Sequence, residues 1–216
     1  ALPILFRTCI ICSTDGYNKS GQTLRGKSMT FYIDANKTGA AREISSLLKN
    51  CILHHRKSWK ELVFLCIGTD RLTGDCLGPY VGQQLLCNAS EKVHVYGTLS
   101  HPVHALNLTS ASQDICFSHP EALVIAIDAS LGQKKHLGYV TIGDGALYPG
   151  AAVQKELPPV GDIHVTGIVN TAGLLEQLTL QTTRLSTVIH LADKITQGIL
   201  AMIPSAMHES YFIQKL

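Results

Sequence analysis

Charge is scarce in this chain. Only 16% of its 216 residues are Asp, Glu, Lys or Arg, and they leave a formal net charge of +2. No strong field therefore steers a polyanion or a charged membrane surface toward it. The basic residues are dispersed rather than gathered into a stripe, which argues against a nucleic-acid face. Aromatics are also few, at 6% with a single Trp, so there is little on which the bases of a single strand could stack. Long apolar runs are missing too. The opening Leu2-Pro3-Ile4-Leu5-Phe6 is broken by Arg7 and falls far short of the roughly 20 residues that cross a bilayer. Neither a nucleic acid nor a membrane is expected as a partner, and there is no internal repeat or low-complexity tract.

Cysteine is present without a framework. The seven are Cys9, Cys12, Cys51, Cys66, Cys76, Cys87 and Cys116. The Cys9-x-x-Cys12 pair has no second pair at zinc-ligand spacing and does not open a helix after a strand. Cys66 falls inside a strand pattern and Cys87 on a helix, where free Cys behaves as a small apolar residue. This usage suits a reduced, cytoplasmic protein.

The chain is rich in material for a core. With 45% hydrophobic residues, its length fills one domain. Residues 1–38 look different from the rest: Asp15-Gly16-Tyr17-Asn18-Lys19-Ser20-Gly21 is turn-rich, and Met29-Thr30-Phe31-Tyr32-Ile33-Asp34 reads as strand or coil. We expect a loosely ordered arm there, with Met29 able to serve as an initiator, and a single α/β domain over 39–216. In that domain Ile44, Leu47, Leu48, Cys51 and Ile52 keep helical spacing. Strand patterns follow at 62–67, 93–96, 122–128, 139–142 and 165–169. They alternate with helical patterns near 77–88, 104–114, 171–181 and 185–203. That alternation predicts a three-layer αβα sandwich with a mostly parallel sheet. The Pro- and Gly-rich stretch from about 145 to 164 is a long loop, and such loops in compact domains are often functional.

One motif is a decoy. Gly21-Gln22-Thr23-Leu24-Arg25-Gly26-Lys27-Ser28 satisfies the phosphate-loop pattern, but that pattern works only between a strand and a helix whose N-terminal amides hold phosphate. Here a polar turn precedes it and no helical pattern follows.

The chemistry-bearing stretch is Gly68-Thr69-Asp70-Arg71-Leu72-Thr73-Gly74-Asp75-Cys76-Leu77-Gly78-Pro79, between an apolar strand and a helix. Asp75 stands where a helix N-cap is expected, which favours its ionised form. A second carboxylate, Asp128, closes the apolar run 122–127. Parallel strands bring their C-terminal ends to one edge, where open α/β sheets bind ligands. Two carboxylates delivered there can share a proton or hold a metal. His164 is the third candidate, making with them a possible half-shell for a divalent ion such as zinc, nickel or manganese. His164 precedes its strand, so it reaches the carboxylates only if 160–170 departs from parallel pairing and brings the imidazole within roughly 6 Å of Asp128. Thr69, Asp70, His104, Glu156 and Asp162 are candidate substrate contacts around the same crevice.

These runs carry a resemblance. From about Glu61 to Leu200 the chain resembles the YyaC family of sporulation proteins, through 68–79, Val95-Tyr96-Gly97-Thr98, Pro102-Val103-His104-Ala105-Leu106-Asn107, Ile125-Ala126-Ile127-Asp128-Ala129, 155–164 and Gln181-Thr182-Thr183-Arg184-Leu185-Ser186. At longer range it is similar to the germination protease, which has an Asp-x-Leu-Gly-Pro run and an Ile-Asp-Ala run; that enzyme's aspartate pair would fall on Asp75 and Asp128. Its Pro-Gly-x-x-Val segment is similar to Pro149-Gly150-Ala151-Ala152-Val153. The hydrogenase maturation endopeptidases are similar as well, and their metal-binding acid, aspartate and histidine would map to Asp75, Asp128 and His164. The resemblance implies an endopeptidase cutting a spore-specific protein in the forespore cytoplasm, by an aspartate pair or with a divalent metal. The alternative is a non-catalytic binding or assembly protein on a protease-like fold.

Overall fold

In the computed structural model, residues 16–17, 23–24, 30–88, 90–149 and 157–213 are described. The backbone of Gly16–Tyr17 (β1) pairs antiparallel with Thr23–Leu24 (β2). The remaining strands are β3 (Thr30–Asp34), β4 (Glu61–Cys66), β5 (Val93–Tyr96), β6 (Ala122–Gly132), β7 (Tyr139–Asp144) and β8 (Ile163–Thr171). They form one sheet in the order β3-β7-β8-β6-β4-β5. β5, β4, β6 and β8 run parallel, whereas β7 is antiparallel to both β8 and β3. The expected α/β architecture is therefore present.

The continuous apolar strands are explained by burial on both faces. Leu62, Phe64 and Cys66 of β4 enter one buried cluster, while Val63 and Leu65 enter another. The first cluster lies under α1 (Ala40–Leu53), α2 (Leu77–Leu86) and α5 (Leu185–Ile213), and the second under α3 (Leu108–Ser118). α1 turns Ile44, Leu48 and Ile52 inward, and α5 does the same with Val188, Leu191, Ala192, Ile195 and Ile199. These spacings are the amphipathic stripes that the sequence displays.

Two expectations change and one holds. The end of the supposed arm is an edge strand: Thr30–Asp34 registers against Tyr139–Asp144, with Ile33 buried. A strand begins two residues after Ser28 where a phosphate loop requires a helix, in keeping with the decoy reading of that motif. The helix expected over 171–181 is shorter, because β8 continues to Thr171 and α4 spans only Glu176–Gln181. The β-branched residues Val165, Thr166, Ile168, Val169 and Thr171 of β8 suit a pleated surface.

Candidate active site

The Gly68 loop is shaped by two missing side chains. Gly68 has φ +134°, and a Cβ there would meet the Asp75 carbonyl oxygen at 2.0 Å. At Gly78 a Cβ would lie 2.1 Å from the Ile67 carbonyl oxygen, so α2 can start directly against the end of β4. The chain leaves the strand, turns through 69–72 and returns as a short 3-10 turn, Thr73–Cys76. Asp75 is carried back over the strand end by this fold.

Asp75 is not an N-cap. α2 begins at Leu77 without a side-chain cap. The Asp75 carboxylate instead turns inward, where its Oδ2 accepts the Thr69 N–H at 2.9 Å.

Asp128 does not end its strand either. β6 runs on to Gly132, but its neighbour β4 stops opposite Ile127. The last link between them is the Ile67 N–H donating to the Ile127 carbonyl at 2.7 Å. Asp128 is thus the first β6 residue past the end of β4, facing the opening that the Gly68 loop spans. Its Oδ1 accepts the Ala129 N–H at 2.7 Å.

Both carboxylates line one crevice of about 290 Å³, together with Thr69, His104 and Thr166. Burial raises the Asp75 carboxyl above its usual range, against the Thr69 amide and the neighbouring His104, which favour its charge. Asp128 is pushed well above the carboxylate range, first by burial and then by the charge of Asp75; the Ala129 amide opposes this only in part. Burial disfavours the charge of both acids and each accepts one backbone N–H; they differ in that His104 supports the Asp75 anion whereas the charge of Asp75 opposes that of Asp128. Asp75 is placed to be the anion and Asp128 to hold the proton.

His104 is held by its own turn. Its N–H donates to Asn107 Oδ1 at 2.8 Å, and its Nδ1 accepts the Leu106 N–H at 3.3 Å. The neutral ring therefore carries its proton on Nε2. Beside Asp128, Thr166 is its register partner on β8. The Thr166 hydroxyl bonds Thr141 at 2.7 Å and Ser130 at 3.2 Å.

His164 stands elsewhere. Residues 163–168 pair with β6 in regular parallel register, and the only shift falls later, at Ser130/Leu131. His164 lies opposite Ala126, two rows before Asp128, or about 6.6 Å back along the strand. Its Nδ1 bonds the Gly145 carbonyl at 3.0 Å, its ring fills the space over Gly143, and it does not line the crevice. The expected departure of 160–170 from parallel pairing does not occur, because the β-branched run continues the ladder through His164. Among the described residues, Asp75 and Asp128 form no group with His164 or His104 in which one ligand atom from each lies within 4.8 Å of the others. The metal set Asp75, Asp128 and His164 does not fit a shared ion.

The other candidates divide. Thr69 lines the crevice, whereas Asp70 is exposed at the tip of the loop and does not. Asp162 is at the opposite edge of the sheet, where its Oδ2 accepts both the Val124 N–H and Lys57 Nζ at 2.9 Å. It is a clamp between β6, the start of β8 and the segment after α1. Glu156 lies outside the described residues. The 145–164 loop does reach the site, since Leu147, Tyr148 and Leu157 form one apolar wall. Gln177 and Leu180 of α4 form another part of the lining. Leu174, Leu175 and Leu178 stand exposed beside it, Leu174 fully so. Sequence reading missed Thr166 and the α4 contribution, because both depend on register and chain return rather than on a local pattern.

One group of three metal-capable residues does exist among the described residues, and no motif announces it. Glu61, His94 and His119 bring one ligand atom each within 4.8 Å of one another. They lie at the N-terminal edge of the parallel strands, roughly 20 Å from the crevice along β4.

Residues 32–198 match the family model described as a protein of unknown function, DUF1256. The chain belongs to this family. It is 46% identical over 168 residues to the Bacillus subtilis (strain 168) "Uncharacterized protein YyaC", covering 78% of this chain and 81% of that protein. Asp75, Asp128, His104 and Thr166 all fall within the DUF1256 match. The chain is also similar to the crystal structure of a [NiFe] hydrogenase maturation protease, HycI, from Thermococcus kodakarensis KOD1. That likeness has a TM-score of 0.45 at 16% identity and covers 75% of this chain and 99% of the other. No helix among the described residues is long and apolar enough to cross a membrane.

Proposed function

We propose that this DUF1256 chain is an endopeptidase that cleaves an extended peptide segment with the Asp75–Asp128 pair. The observation that carries the reading is the pair itself: two carboxylates in one crevice, coupled by charge and biased toward one shared proton. In this mechanism Asp75 removes a proton from a water as its oxygen attacks the scissile carbonyl carbon. Asp128 gives its proton to the carbonyl oxygen. The tetrahedral adduct then collapses as Asp75 returns its proton to the leaving nitrogen and Asp128 regains one from the adduct's hydroxyl. His104 supports the charge on Asp75, and Thr166, linked to Ser130 and Thr141, holds a hydroxyl beside Asp128. The apolar walls at Leu147, Tyr148, Leu157 and Leu180 would receive apolar side chains flanking the bond.

The substrate we propose is a spore-specific protein met in the forespore cytoplasm. This rests on the likeness of the runs 75–79 and 127–129 to those of the germination protease. The exposed leucines before and on α4 also suit a second reading, in which the same groove holds a protein segment without cutting it.

The test is incubation of the full chain with a defined peptide library and detection of new termini by mass spectrometry. The proposal expects cleavage next to apolar residues, abolished in both Asp75→Asn and Asp128→Asn. Binding of apolar peptides with no cleavage by the wild type would select the second reading, and cleavage surviving both substitutions would remove the dyad mechanism.

A further inference from the structure

At the other end of β4 three side chains meet on one face of the sheet. Glu61 opens β4, His94 lies on β5 opposite Val63, and His119 follows the last turn of α3. His94 Nε2 and His119 Nδ1 both stand 2.8 Å from the same oxygen, Glu61 Oε2. A carboxylate oxygen only accepts, so each nitrogen facing it must bring a proton or share a cation with it. His119 is aligned for a hydrogen bond, with its other nitrogen 3.0 Å from the Tyr96 hydroxyl. His94 is not. Its Nε2 is shut off from solvent and, despite the short separation from Glu61, lies outside good hydrogen-bond alignment, although its attraction still lowers the Glu61 carboxyl. A nitrogen that close to an oxygen without a well-aligned hydrogen bond has the spacing of two ligands on a common ion. The two imidazoles are also stacked, with centroids 3.9 Å apart and planes 30° from parallel, and two protonated rings in that position would repel. Neutral rings on one ion would not.

We propose that Glu61, His94 and His119 form a binding site for a divalent transition-metal ion of the zinc class. Two imidazole nitrogens and one carboxylate oxygen are the donor set such ions take. Magnesium and calcium prefer all-oxygen shells. His94 binds through Nε2 and His119 through Nδ1. Tyr96 accepts the remaining His119 N–H and fixes the ring, the outer-shell arrangement that metal-bound histidines use. The side chains of all three ligands keep partial exposure, at 26%, 24% and 14%, so the cluster lies close to the surface although His94 Nε2 itself is covered. The site clips together the start of β4, the edge strand β5 and the end of α3. It is independent of the aspartate pair and stands whether or not that pair cleaves peptides.

The experiment is a titration of the full chain with zinc chloride, followed by histidine 15N NMR and by thermal unfolding. One equivalent should move the resonances of His94 Nε2 and His119 Nδ1, and should raise the unfolding midpoint. His94→Gln and His119→Gln should each lose that rise. Cobalt(II) should give visible ligand-field bands without a thiolate charge-transfer band, which separates the site from any cysteine ligands. Zinc that leaves both ring nitrogens unmoved would overturn the proposal without recourse to a variant. So would a midpoint rise that persists in both variants.

Discussion

Replacing Gly68 with alanine tests how the loop that carries Asp75 is built. Gly68 sits at φ +134°, and its added Cβ would press to 2.0 Å from the Asp75 carbonyl oxygen and 3.2 Å from Pro79 Cδ. The positive φ costs about 1–2 kcal/mol, and forcing a methyl into packed surroundings adds about 1–3 kcal/mol. The expected loss is therefore about 2–5 kcal/mol, a large share of the roughly 5–15 kcal/mol that holds a domain together. Gly39 is the matched control. It has φ +91° but nothing within 4 Å of an added methyl, so Gly39→Ala should cost only the backbone part, about 1–2 kcal/mol. Urea unfolding measures both, the loss showing as a lower midpoint with an unchanged slope. Because the clash is with Asp75 itself, Gly68→Ala should also displace its carboxylate and weaken its coupling to Asp128, which Gly39→Ala leaves alone. Equal losses in the two variants would refute the reasoning, since they would mean that the close approach to Asp75 contributes nothing.

Two further outcomes are expected at the sheet's two edges. Asp162→Ala strands the half-buried Val124 N–H and frees Lys57, so it should cost about 1–3 kcal/mol in urea unfolding while leaving peptide cleavage per folded molecule unchanged. Asp128 gives a pH dependence of definite sign. Its folded carboxyl holds a proton more tightly than an unfolded one does, so wild-type stability should fall as pH rises from the ordinary carboxylate range through the raised value. Asp128→Asn should flatten that decline and be the more stable protein at neutral pH, as thermal unfolding across a pH series would show.

Much of this molecule is legible in the chain, for reasons that differ by element. The apolar runs at 62–67 and 122–128 announce doubly covered strands, and the stripes of α1 and α5 announce helices, because each pattern reports a local burial period. Asp75 and Asp128 are legible because Asp75 lies on the loop that leaves the first run and Asp128 closes the second, and parallel strands deliver their C-terminal ends to one edge. The features that escape are set by register. Nothing local says that β6 outlasts β4 beyond Ile127, which makes Asp128 a mid-strand residue at an opening. Nothing local says that His164 falls opposite Ala126 rather than beside Asp128. The edge strand Thr30–Asp34 has a strand-like composition, but its partner lies more than a hundred residues on. Glu61, His94 and His119 meet only because β5 pairs with β4 in one register and α3 ends over both. His104 is the intermediate case: its position after a strand points to the crevice, and its turn to the site is fixed by Asn107 and Leu106.

The central claim is that Asp75 and Asp128 act as one proton-sharing unit, and carboxyl carbon NMR of the folded protein tests it without any substrate. Asp128 should titrate well above the ordinary carboxylate range. In Asp75→Asn the removal of the neighbouring charge should bring that titration down, though burial should keep it raised. His164→Ala should leave it where it is in the wild type. An Asp128 that titrates as an ordinary carboxylate, or one that does not respond to Asp75→Asn, would contradict the account.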